Sequence, residues 1–173
     1  GVKNGWAFDT LYDYVCGKIM WDPYTNIPDL AANFFEKYYH EAGDIMQQYY
    51  YMMKTHYKLA YIKSNPTKTE LVDYAFSTMG YNNANFESKG FLEQMNALLD
   101  DAVAAISAGD YTKTELDDLI ERVELERFTI RFALLEYFSA DYQTDEYLAM
   151  VDEMEAMVYR YGISYIMSKH QGN

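Results

Sequence analysis

Residues 18–44 read KIMWDPYTNIPDLAANFFEKYYHEAGD, and this stretch decides the fold. An apolar segment closes at Gly17-Lys18-Ile19-Met20-Trp21. Asp22-Pro23 then stops it, because a proline ring pushes the residue before it out of the helical region. Pro28 restarts a helix in its first turn, where its missing N–H costs nothing, and Asp29 places a negative charge near the positive helix end. Leu30, Phe34, Phe35 and Tyr38 follow at helical spacing as one apolar stripe. The reading is helix, corner, helix.

The same logic extends outward in both directions. Upstream, Phe8, Leu11, Tyr12, Val15 and Ile19 recur at three- and four-residue steps, so residues 5–21 read as a helix flanked by Trp6 and Trp21. Downstream, Ile45, Met46, Tyr49, Tyr50, Met53, Tyr57 and Ala60 predict a helix over 44–61, bent or separated from the one before it at Gly43. Residues 63–69, with Asn65-Pro66-Thr67, read as a loop; residues 71–79 fit a short helix and 80–88 a turn. Ser88 opens a helix lined by Phe91, Leu92, Met95, Leu98, Leu99, Ala102, Val103 and Ile106, with Gly109 as its terminator. Thr112 and Glu115 form a capping box, in which each side chain satisfies a backbone N–H at a helix start. The long helix that follows, to about residue 140, is apolar on two faces, which marks a helix central in its bundle. On it, Asp118, Arg122 and Glu126 sit at four-residue spacing suited to ion pairs. Thr144 reads as the cap of a last helix that ends at Gly162, with Ile163 to Met167 as a strand or packed extension. The expectation is an all-α fold, an irregular bundle of five or six helices in one domain over 1–173.

Composition narrows the function. Half of the 173 residues are hydrophobic, so the chain has enough apolar material for a core without disulfides or metals. The single Cys16 lies in an apolar helical stretch and reads as a buried, inert thiol. Net charge is −13, with acids concentrated between Glu93 and Glu126 in what reads as a solvated face. That charge repels nucleic-acid phosphates and anionic lipid heads. No apolar run approaches 18 residues, so no membrane-spanning helix is expected. The chain opens on Gly1 and reads as a piece from the C-terminal side of a longer protein.

Catalytic and metal-binding patterns fail one by one. His40-Glu41 with Asp44 lacks the second histidine of a zinc-protease motif, and His40 reads as a helix-end or surface residue. Asn83, Asn85 and Glu87 begin like a calcium loop, but Ser88 and Gln94 stand where Gly and Glu are required. The acid pairs Asp100-Asp101 and Asp117-Asp118 are sequence neighbours in helices, which point apart and cannot flank a glycosidic bond. No catalytic residue, metal ligand or cofactor is expected. Nineteen tyrosines remain; Tyr50, Met53, Tyr57 and Tyr61 share helical spacing, which favours core and domain interface over a sugar platform.

The order Trp6, Leu11, Tyr14, Lys18-Ile19-Met20-Trp21-Asp22-Pro23, Asp29-Leu30, Phe34-Phe35 and Tyr38-Tyr39 resembles the region just after the barrel in a largely uncharacterised bacterial family. That family pairs an α-glucuronidase-like catalytic barrel with a C-terminal helical region. A fainter echo covers Leu98-Leu99-Asp100-Asp101-Ala102, Arg122-Val123 and Arg127. The family commonly has Gly where this chain has His40, and Gly is the usual left-handed helix terminator. The resemblance implies a non-catalytic support or interface domain of a glycoside-hydrolase-like protein, secreted, periplasmic or at the cell surface. Its partner would be the N-terminal barrel of the same polypeptide, with a homodimer interface and carbohydrate as further partners. It makes Trp21 and Asp22, at the junction, the candidate ligand-side residues. In an intact member the first helix would lie against the barrel, so part of its apolar face is expected to lie bare here. The alternative is a self-standing helical module that binds a glycan or a partner protein.

Overall fold

The computed structural model describes residues 3–4, 8–64 and 88–165. It is an all-α bundle, with six α-helices among those residues. They are α1 (Asp9–Trp21), α2 (Ile27–Tyr39), α3 (Gly43–Ser64), α4 (Lys89–Ser107), α5 (Lys113–Phe138) and α6 (Thr144–Tyr161). Short 3-10 turns at His40–Ala42 and Ser139–Asp141 separate α2 from α3 and α5 from α6. Two short strands, β1 (Lys3–Asn4) and β2 (Ile163–Tyr165), pair in parallel and bring the two ends of the described chain together. Several expectations lie outside the described residues: Trp6, the loop after Ser64, the helix over 71–79, the Asn83–Glu87 loop and the tail beyond Tyr165.

The main core lies where α4 and α5 pack together and α2 and α3 close over them. From α4 come Leu92, Met95, Leu99, Ala102 and Ile106, all fully buried and spaced by three and four residues. Each large side chain among them contributes about 1.5–3 kcal/mol on leaving water. α5 adds Leu119, Val123, Ile130, Ala133 and Leu134, and α2 and α3 add Phe34, Phe35, Tyr39, Met46, Tyr49 and Met53. The His56 ring on α3 stacks on Phe91 of α4, with centroids 3.7 Å apart. The opposite side of α5 supports a second cluster, in which Phe128 meets Met154, Met157, Tyr161 and Ile163. The two-faced reading of this helix is therefore correct.

Helix ends follow the sequence signals, with three corrections. The Ser88 hydroxyl accepts the Phe91 N–H at 3.2 Å, and the Thr112/Glu115 capping box is complete. Thr144, however, is the first helical residue and Gln143 precedes it as the cap, without a side-chain bond. Gly109 follows the end of α4 but is not left-handed; a Cβ there would lie 2.4 Å from the Tyr111 ring. Its role is to let that ring close over the helix end. The first helix begins at Asp9 rather than at residue 5. Gly162 does end α6 in the left-handed conformation, at φ 63°.

The α2–α3 junction is the tightest point of the fold. A Cβ on Gly43 would lie 2.9 Å from the Phe35 carbonyl oxygen, so only glycine lets α3 begin this close to α2. α2 stops at Tyr39, and the stop is made by His40 at φ 50°, ψ −120°. That conformation suits glycine and strains any residue with a Cβ. The chain therefore places a histidine at a turn whose backbone favours glycine. Strain of this kind costs about 1–3 kcal/mol, of which glycine would return part through its looser unfolded chain. His40→Gly should therefore stabilise the protein by about 1 kcal/mol and raise Tm in thermal denaturation. Gly43→Ala should lower stability by at least about 1 kcal/mol, because the backbone it meets cannot give way.

Candidate functional site

The corner between α1 and α2 is built from the residues that the sequence reading singled out. α1 ends at Trp21, and Asp22 leaves the helix with φ −138° and ψ 98°. The Asp22 carboxylate accepts the Tyr24 N–H at 3.0 Å through Oδ1. Its carbonyl accepts both the N–H (3.2 Å) and the hydroxyl (2.9 Å) of Thr25. Asp22 is thus the organiser of a rigid turn, an Asx-type arrangement in which a short acid holds its own backbone two residues on.

The apolar side chains at this corner point outward. Trp21 is 91% exposed, Tyr24 95% and Met20 86%, and Tyr12 and Ile27 are exposed beside them. Tyr12 and Met20 are eight residues apart, so they share one side of α1. The inner side of α1 is thin by comparison. Leu11 is its one buried helical residue, Tyr14 and Val15 are partly covered, and Cys16 is half-buried rather than sealed. Tyr14 packs on Phe34 at 5.5 Å between centroids and donates to Asn33 Oδ1 at 3.2 Å. The bare apolar face expected on this helix followed from the resemblance; Tyr24, in the short turn between α1 and α2, was not indicated.

Two charged groups inside the bundle were missed. Glu126 lies on the stripe formed by Leu119, Val123 and Ile130, at a position where helical spacing calls for an apolar residue. It is 7% exposed, and Oε1 and Oε2 accept the Phe8 N–H at 3.1 and 3.2 Å. Burial pushes its carboxyl up from the ordinary 4.5 to about 8, against the lowering effect of the Phe8 N–H, and nearby Asp9 pushes the same way as burial. The expected Asp118–Arg122–Glu126 pairing does not form among the described residues. Arg122 instead donates to the Tyr38 carbonyl at 2.6 Å and lies over the Tyr38 ring.

Arg127 is the second. It is 4% exposed, yet its guanidinium is surrounded by acceptors: Glu124 through Nε at 2.9 Å, and Asp100 and Asn96 Oδ1 through Nη1, each at 2.8 Å. This ties α4 to α5. The acidic stretch from Glu93 to Glu126 is therefore not solely a solvated face, since Glu124 and Asp100 serve this arginine and Glu126 serves Phe8.

The remaining titratable cluster is a surface contact. The Tyr111 hydroxyl donates to the Glu41 carboxylate, and that bond lowers the Glu41 carboxyl and pushes the Tyr111 hydroxyl up to about 12. The His40 ring packs edge-on to Tyr111 at 6.1 Å. No group of three or more His, Cys, Asp or Glu side chains among the described residues could hold a metal. No described helix is long and apolar enough to cross a membrane. The arrangement at the corner offers aromatic faces and a carboxylate already engaged in its turn, so it can pack or stack against a partner. The chain matches no family model, no curated protein and no solved structure. Because Trp21 and Tyr24 touch little of the bundle, Trp21→Ala and Tyr24→Ala should each change stability by less than about 0.5 kcal/mol in urea denaturation. Leu99→Ala, in the core, should cost about 2–5 kcal/mol by the same measurement.

Proposed function

We propose that this chain is a non-catalytic helical interface domain, and that the α1–α2 corner is the face it presents to a neighbouring folded module. The observation that carries this reading is the outward display of Trp21 and Tyr24, with Met20, on a turn locked by Asp22. Aromatic side chains on a rigid support are the usual anchors of protein interfaces, because their large area is buried at little entropic cost. The resemblance of the first fifty residues to the helical region of α-glucuronidase-like proteins supplies the partner's identity: a catalytic barrel on the same polypeptide, which would carry the catalytic acids. Self-association is opposed by a net charge of −13 on each copy.

A second reading rests on the same rings. Exposed Trp and Tyr faces also stack on sugars, which makes the corner a glycan platform in a self-standing module. Two measurements separate the readings. Hydroxyl-radical footprinting of Trp21 and Tyr24 should show protection in the full encoded polypeptide relative to the 173-residue chain; equal labelling in both would overturn the interface reading. Titration of the 173-residue chain with glucuronic-acid-containing xylo-oligosaccharides should leave Trp21 fluorescence unchanged. A saturable change that disappears in Trp21→Ala would instead establish the glycan platform.

A further inference from the structure

Glu126 occupies a position that the fold gives it no structural reason to hold. It interrupts the apolar stripe of α5 and, among the described residues, forms no ion pair. Its one described hydrogen-bond donor is the backbone N–H of Phe8, shared between both carboxylate oxygens. Phe8 is the residue before α1, held in the left-handed conformation at φ 59° although it is not glycine. Its ring is inserted among Phe35, Tyr49 and Tyr50, with centroid separations of 5.9, 5.7 and 5.1 Å. The strained backbone, the inserted ring and the buried carboxylate meet at one point. That point is where α1 joins the bundle.

We propose that Glu126 is a protonation-controlled latch for α1: neutral Glu126 keeps Phe8 and α1 docked, and its ionisation frees them. The inference is independent of what the corner binds.

The groups around Glu126 set the direction. From the α1 side, Asp9 faces it with a like charge. From α2, Tyr39 faces it as a phenol held protonated, first by burial and then by the Glu126 charge. On α5, Arg122 is turned to the Tyr38 carbonyl and Arg127 to Glu124, Asn96 and Asp100. No described cation is therefore bonded to the ionised form, which among the described residues is stabilised by the Phe8 N–H and by the positive end of α1. A charge so placed is relieved by admitting water. Phe8, which bonds it, leads directly into α1, and among the residues of that helix only Leu11 is buried. The docked state holds the proton more tightly than the open state, in which the carboxyl returns to its ordinary range. Docking is thus fully favourable at low pH and weakens as pH rises from 4.5 towards about 8, above which the loss levels off.

Native-state hydrogen exchange on the whole chain tests this, with rates corrected for the intrinsic effect of pH. The opening equilibrium of the α1 amides should rise by up to about tenfold per pH unit within that window, as expected for the linkage of one proton. The α4 amides of Leu92 to Ile106 should show no such rise. In Glu126→Gln, which keeps the size and one acceptor but cannot ionise, the α1 response should be flat. A pH response of α1 that persists in Glu126→Gln, or its absence in the native chain, overturns the proposal. A carbon-13 titration of the Glu126 carboxyl in the native chain needs no variant. A midpoint that tracks the α1 opening supports the latch, and a midpoint in the ordinary carboxylate range refutes it.

Discussion

A 26-residue helix that is apolar on two faces cannot be satisfied by one neighbour. α5 imposes that constraint on everything else. One face needs α4, α2 and α3, and their side chains form the main core; the other needs α6, and Phe128, Met154, Met157 and Tyr161 form the second. The order of the chain follows from it, because α4, α5 and α6 are joined by short turns that lay successive helices along α5. The pairing of β1 with β2 then brings the ends of the described chain together beside the second cluster, where Ile163 is buried.

The α2–α3 pair reaches the same core by a different device. Here the apolar stripes are ordinary and the junction is not. Gly43 allows a backbone approach that no Cβ could survive, and His40 turns the chain in a conformation unsuited to its own side chain. Close approach places Phe35, Tyr39, Met46 and Tyr49 in full burial within a few residues of one another. The strain at His40 is sustained by this burial, since each large ring removed from water is worth about as much as the turn costs. Its position beside Tyr111 and Glu41 also fixes the loop that leads into α5.

What could be read from the sequence was whatever rests on local pattern. The stop at Trp21-Asp22-Pro23, the Pro28 start, the Ser88 cap, the Thr112/Glu115 box and the two faces of α5 are all consequences of neighbours within about one helical turn. Thr144 misled because Gln143 offers the extended backbone a cap needs, although its side chain makes no capping bond. The Asp118–Arg122–Glu126 pairing was misread for a different reason. Four-residue spacing makes ion pairs along a helix available, but tertiary contacts 118 and 84 positions away hold Glu126 and Arg122 instead. A warning was present: a glutamate standing in line with Leu119, Val123 and Ile130 violates the apolar period. The corner was half legible. Its geometry was in the Asp-Pro junction, whereas the exposure of Tyr24 has no local sequence signal.

The two buried charges show why burial alone does not define a role. Arg127 has an acceptor for each described donor direction, from three side chains on two helices, so its charge is stabilised wherever the bundle is intact. Such a group reinforces α4 against α5. Glu126 has one described backbone donor, a like charge in Asp9 and the Tyr39 phenol near it. Its charge is therefore in tension with the packing that buries it, and the element it contacts is the least integrated helix of the fold. That same helix carries Tyr12, Met20 and Trp21 outward. Phe8 at one end of α1 and Met20 and Trp21 at the other are parts of one continuous helical segment, so release of Phe8 would reach the aromatic corner through that helix.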